Sequence, residues 1–187
     1  MLSHIFHFNN VNVSYLYGGI TTFNGIGGHY GDPDQPLILE TDEAFNTFEK
    51  IKISDLLVLN VDSDHLDYFK NLDNYKDAFY KVMKNVTDNL VINNDDLNIK
   101  SMKELKNPVS YGKDIAADFK VQSPGTFIYE NNKYEIKSDI IGDHFKSNML
   151  GAIILALLNG IEIKDSLNAI ESFAGVKRRI ELIGISK

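Results

Sequence analysis

The sequence predicts an α/β fold: a mostly parallel sheet flanked by helices, with a small antiparallel β patch around residues 115–140. Three observations carry this. Short apolar runs alternate with amphipathic stretches over the first two thirds of the chain, as parallel βα units require. Polar clusters follow several of the apolar runs, as at the carboxyl edge of an open sheet. Between 115 and 140 the pattern changes to strict alternation with turn residues, which reads as a hairpin.

The elements follow in order. Leu2, Ile5 and Phe6, with Phe8, share one side of a helix that no capping residue precedes. His4 and His7 are expected on an exposed or partly buried face of it. Residues 11–17 alternate and read as a strand. Residues 18–35 hold Gly18, Gly19, Gly25, Gly27, Gly28 and Gly31 and read as a loop. Residues 36–40 form a short strand that ends in Glu40, Thr41, Asp42 and Glu43. The run Leu56-Leu57-Val58-Leu59 reads as a buried strand.

A helix over residues 73–86 presents Tyr75, Phe79, Val82, Met83 and Val86 as its apolar face, with Asp73 as the expected N-cap. Leu90, Val91 and Ile92 make another strand, and a short amphipathic helix through Met102 and Leu105 leads to a strand at 109–111. Residues 118–121 and 126–129 alternate, and 129–134 reads as a hairpin turn. The apolar helix over 144–159 stops at Gly160, with Asp143 or Ser147 as ordinary caps. Ile163, Leu167, Ile170 and Phe173 mark a last helix ended by Gly175. Residues 1–174 are read as one domain and 175–187 as an exit linker.

Bulk properties narrow the function. The 187 residues carry 19 basic and 26 acidic side chains, a net charge of −7, which argues against nucleic-acid binding through a broad basic face. With no cysteine, thiolate metal sites and cysteine nucleophiles are excluded. The N-terminus lacks a basic region followed by a long apolar core, and the longest apolar run is too short to span a bilayer. A cytoplasmic protein without membrane contact is expected.

The chemistry concentrates in a few clusters. Asn60, Asp64, His65 and Asp67 follow a strand and offer an amide, an imidazole and carboxylates, as a divalent cation bridging phosphates would need. Glu40, Asp42 and Glu43 end the preceding strand. Adjacent parallel strands would bring both ends to one edge. Read alone, the Glu40 cluster is better explained as an acidic helix cap. Asn148, after Gly142, Asp143 and His144, could pair with a purine edge, but local spacing favours ordinary helix-start chemistry. Lys177, Arg178 and Arg179 could neutralise phosphate, though short basic runs are usually solvated. The glycine-rich loop contains neither G-x-x-x-x-G-K-[ST] nor G-x-G-x-x-G.

The order of these clusters resembles the Mur ligases, nearest their alanine-adding branch. Asn60 with the D-H-L-D-Y-F segment at 64–69, Gly142-x-His144 before Asn148, and G-V-K-R-R at 175–179 carry the resemblance. It covers nearly the whole chain but only the central ATP-binding domain of that family, a P-loop NTPase-like fold. The resemblance implies ATP and Mg²⁺ as cofactors. UDP-N-acetylmuramate and L-alanine would be substrates of the full enzyme, joined through an acyl phosphate in peptidoglycan synthesis. It implies Glu40 and His65 as catalytic Mg²⁺ ligands and Asn60 and Asp64 as support for that cluster. Asn148 would contact adenine, and Arg179 nucleotide phosphate.

Three departures stand beside it. The family's phosphate loop would precede the helix that begins at Met1 and is expected to be missing, as are the two flanking domains. Phe145 stands where many relatives carry asparagine. Phe79 and Tyr80 lie near the position where some branches use a carbamylated lysine, in keeping with the alanine-adding branch. The chain alone is therefore expected to be inactive. The alternatives are a non-catalytic fragment or interaction module that self-associates, and a stand-alone metal hydrolase built on Glu40, Asp64, His65 and Asp67.

Overall fold

A computed structural model describes residues 1–20, 25–41, 43–102 and 104–176. The expectations for Asp42 and for the basic run that includes Arg179 lie outside the described residues. The chain divides into two compact units: residues 1–40 with 135–187, and residues 41–134.

In the first unit, helix α1 (Leu2–Phe8) precedes strand β1 (Ser14–Leu16). β1 pairs antiparallel with β2 (Gly28–His29) and parallel with β3 (Leu37–Leu39), giving a three-stranded sheet. Helix α5 (Asp143–Leu158) is buried from Met149 to Ala156, as its unbroken apolar run requires. Gly160, at φ +87°, terminates it in a conformation that favours glycine. Asp143 sits inside the first turn and the N-cap is Gly142, so neither expected side-chain cap is used. Helix α6 (Ile163–Glu171) follows and stops before Phe173, which is nevertheless buried.

The expected exposure of His4 needs correcting. His4 is only 7% exposed. Its Nε2 lies 2.9 Å from the Ala169 carbonyl oxygen and 3.0 Å from Ser172 Oγ, beyond the end of α6. The ring also packs 5.3 Å from Phe173. A histidine on a short helix joins the core here because α6 supplies a carbonyl for its N–H.

In the second unit, six strands run in the order β4 (Asp55–Val58), β5 (Asn89–Asn93), β6 (Val109–Gly112), β7 (Phe119–Ser123), β8 (Thr126–Tyr129), β9 (Asn132–Glu135). The first four are parallel. β7 and β8 pair antiparallel within the expected antiparallel patch, with a register shift between Val121 and Ser123, and the hairpin turn expected at 129–134 falls between the neighbouring β8 and β9. The patch is continuous with the parallel sheet through the β6–β7 pairs Tyr111↔Phe119 and Gly112↔Lys120, so it extends that sheet.

Helix α3 (Leu72–Lys84) covers the sheet with Tyr75, Ala78, Val82 and Met83, which join Val58, Val61, Leu90, Ile92 and Ile99 in one buried cluster. Its cap is Asn71, whose side chain accepts from the Asn74 N–H at 2.8 Å, two residues before the expected Asp73. Helix α4 (Leu97–Ser101) ends before Met102, so it is shorter than its amphipathic pattern suggested. A further correction concerns β3 and β4. They are not neighbours: β3 belongs to the three-stranded sheet and β4 to the six-stranded one.

Two expectations follow. Asn71→Ala should cost about 1 kcal/mol in urea unfolding by loss of the cap, and Asp73→Ala only a few tenths. Burial lowers the His4 pKa below the ordinary value of 6.5. The unfolded chain then binds the proton first, so stability is full above about pH 6.5 and falls as pH drops toward the folded-state pKa. Urea midpoints between pH 7.5 and 5.5 should fall less steeply for His4→Gln than for the native chain.

Candidate cation site

The second unit gathers three of the suspected groups. Strand β4 ends at Val58, and the chain runs through Asn60 to Asp64 and His65 before a single helical turn, α2 (Leu66–Phe69). His65 caps that turn in the left-handed region, at φ 49° and ψ 34°. A non-glycine residue there is uncommon. It is held by N–H groups of Tyr68 and Phe69 donating to its carbonyl at 2.9 and 3.1 Å. Phe69 fixes the turn from below: it is buried and meets Tyr75 edge to face at 5.1 Å.

Glu43 approaches from another segment. It precedes a 3-10 helix, residues 44–50, whose Phe48 is buried and packs 5.0 Å from Phe79 of α3. That packing sets the direction of Glu43. His65 Nε2 lies 3.8 Å from Glu43 Oε1 and 3.9 Å from Asp64 Oδ2. One ligand atom from each of Glu43, Asp64 and His65 lies within 4.8 Å of the others. Asp64 divides its oxygens: Oδ1 accepts the His65 N–H at 2.7 Å, while Oδ2 faces the imidazole.

Tyr75 completes the floor. It is 3% exposed, and its hydroxyl donates to Glu43 Oε1 over 3.4 Å. Burial, and then the Glu43 carboxylate, push its pKa well above the usual tyrosine value, so it stays a donor.

The donor set fits a divalent cation. Six ligands at about 2.1 Å from Mg²⁺ stand roughly 3–4 Å apart, a spacing this trio reaches without large movement. Two carboxylates suit Mg²⁺ or Mn²⁺, and the imidazole shifts preference toward transition metals.

The other expected residues fall elsewhere. Asn60 and Asp67 are exposed in the same segment as His65. Glu40 ends the three-stranded sheet, where its Oε2 accepts the Gly18 N–H at 2.9 Å. Asn148 is half-buried in α5. Glu40 and Asn148 thus belong to one unit and His65 to the other. The expectation that β3 and β4 are sheet neighbours does not hold. Glu43 was visible only as one of several acids after a strand. Tyr75 gave no signal, because its helical spacing already explained it as core.

A mostly parallel α/β sheet with a cation-competent edge defines the class, and comparison with known proteins gives the family. The Mur ligase middle domain matches residues 41–156, and the chain belongs to the Mur ligase family. Among curated relatives, the UDP-N-acetylmuramate–L-alanine ligase of Clostridium botulinum strain Hall is 36% identical over 198 residues, covering 98% of this chain and 43% of the relative. The enzyme of the same name from Dictyoglomus turgidum is 31% identical, covering 99% and 42%. The chain thus spans less than half the length of these relatives. Among solved structures, the UDP-N-acetylmuramate–alanine ligase MurC of Thermotoga maritima superposes with a TM-score of 0.81 at 23% identity, over 99% of this chain and 44% of that one. A UDP-N-acetylmuramate:L-alanyl-γ-D-glutamyl-meso-diaminopimelate ligase from Neisseria meningitides gives 0.79 at 20%, over 95% and 62%. These two show the shared fold. No helix among the described residues is long and apolar enough to cross a membrane.

Tyr75 separates packing from chemistry. Tyr75→Phe keeps the contacts with Phe69 and Phe79 and should lower stability by about 1 kcal/mol or less. Tyr75→Ala opens a cavity and should cost about 3–5 kcal/mol, read from denaturant midpoints.

Proposed function

We propose that this chain is the central domain of an ATP-dependent ligase that adds L-alanine to UDP-N-acetylmuramate in peptidoglycan synthesis. The observation that carries the reading is the Glu43–Asp64–His65 trio, in a chain 36% identical to a ligase of that name. The substrate carboxylate takes the γ-phosphoryl group of ATP. The amine of L-alanine attacks the acyl phosphate, an amide forms, and phosphate leaves alongside ADP. Mg²⁺, when bound, neutralises the phosphate charge that such a transfer concentrates.

The chain's own residues have separate tasks. His65, Glu43 and Asp64 hold the cation, and Tyr75 orients Glu43. Four further roles rest on the family resemblance. Glu40 serves as a further carboxylate ligand of Mg²⁺, Asn60 supports the cluster, Asn148 binds adenine, and Arg179 binds nucleotide phosphate. UDP-N-acetylmuramate and L-alanine are partners of the longer relatives' reaction, in a cytoplasmic setting.

The 187 residues contain no G-x-x-x-x-G-K-[ST] segment, so the main backbone cradle for phosphates is not among them. This chain alone should therefore bind Mg-ATP more weakly than micromolar in calorimetry and show no ligase turnover. Mn²⁺ titration of the same chain tests the trio directly. His65→Ala and Glu43→Gln should each weaken binding by about tenfold or more. Unchanged Mn²⁺ affinity in both variants would remove the basis for a cation site here.

A further inference from the structure

We infer that the corner between β5 and α4, through Asn98, Asp96 and Asn93, is the positioning device for the Asp64–His65 ligand pair. The inference rests on reading Glu43, Asp64 and His65 as a cation site, and it assigns a task to residues outside that trio.

The segment from Leu59 to Val61 leaves β4 and carries the chain toward Asp64. The β4–β5 residue pairs end at Val58↔Ile92, just before this segment. Side chains of the neighbouring corner then grip three of its backbone groups. Asn93 Nδ2 donates to the Leu59 carbonyl at 3.0 Å. Asn98 Nδ2 donates to the Val61 carbonyl at 2.7 Å. Asp96 Oδ2 accepts the Val61 N–H at 3.4 Å. Val61 is thus held on both its backbone groups, while its side chain is fully buried.

The corner is itself rigid. Asp96 caps α4 by accepting the Ile99 N–H at 2.8 Å, and Ile99 is 1% exposed in the core below. Asn93 Oδ1 accepts the Asp95 N–H at 3.0 Å. Asp95 in turn accepts the Lys113 N–H at 2.7 Å, and a side chain at Gly112, whose φ is +157°, would collide with that carboxylate. The sequence N-N-D-D-L-N at 93–98 looks like a turn followed by a cap. In the fold it is also a clamp on the segment that ends three residues ahead of Asp64. Groups that orient ligands through one intermediate commonly govern metal affinity by an order of magnitude or more.

The clamp predicts a separation between cation binding and global stability. The probe is Mn²⁺, added to the full 187-residue chain, with affinity from calorimetry and site identity from paramagnetic broadening of the His65 ring resonances. The native chain should show saturable broadening at His65. Asn98→Ala and the isosteric Asn98→Asp, which sets a carboxylate against the Val61 carbonyl, should each weaken Mn²⁺ binding about tenfold. Asn93→Ala, which cuts only the Leu59 contact, should weaken it in the same direction. Ile99→Val lowers the stability of the same helix while leaving the clamp intact, and should bind Mn²⁺ as the native chain does. Native-like affinity and broadening in the Asn98 and Asn93 variants, with the native chain binding normally, would overturn the clamp and leave the cation site standing. Absence of His65 broadening in the native chain would instead overturn the cation reading and the clamp with it.

Discussion

The candidate site depends on one constraint: the parallel register of β4 and β5, from Asp55↔Asn89 to Val58↔Ile92. Strands that run in the same direction release their chains at the same edge. The polar segment after Val58 therefore emerges beside the polar segment after Ile92. A slip of one residue would turn the buried side chains of β5 over and separate these segments. Burial makes such a slip costly, since Leu90, Val91 and Ile92 are all 6% exposed or less.

The edge is ordered because its polar residues are interleaved with buried ones. Val61 precedes Asp64, Phe69 follows His65, Phe48 follows Glu43, and Ile99 follows Asn98. Each apolar residue reaches the same core under α3. These anchors act together with the side-chain grips on Leu59 and Val61 to give the loop a defined path. Tyr75 joins the two levels, with its ring in the core between Phe69 and Phe79 and its hydroxyl at Glu43.

Much of this was legible in the sequence, and the remainder fails for identifiable reasons. β4, β5 and α5 announce themselves as apolar runs of the right length, and the polar ends of the strands marked the edge. His65 was singled out because an imidazole after a strand, among carboxylates, is chemically uncommon. The approach of Glu43 to His65 was not readable. It depends on a 3-10 helix over 44–50 that the sequence does not signal, and on a change of sheet between β3 and β4. Sheet membership is non-local, whereas the periodicity used to find strands is local. Asn71 and Asp73 are both good caps two positions apart, and only the φ of 72° at Lys70 shows where the turn breaks. His4 was expected on an exposed or partly buried face because its partners, Ala169 and Ser172, are more than 160 positions away.

The clamp on Val61 also answers an electrostatic problem within the trio. Glu43 and Asp64 bring carboxylate oxygens within 4.8 Å of one another. At an effective dielectric near 20, two charges at that distance repel by roughly 3 kcal/mol, and the solvent around exposed Asp64 reduces this. Left free, the Asp64 segment would relax away from Glu43. The backbone grips at Leu59 and Val61, the left-handed His65 and the buried Phe69 all resist that movement. A fold that holds two carboxylates together against their own repulsion, beside an imidazole, would favour a cation among them. The strength of that preference is then set by the rigidity of the surrounding loop as much as by the ligands.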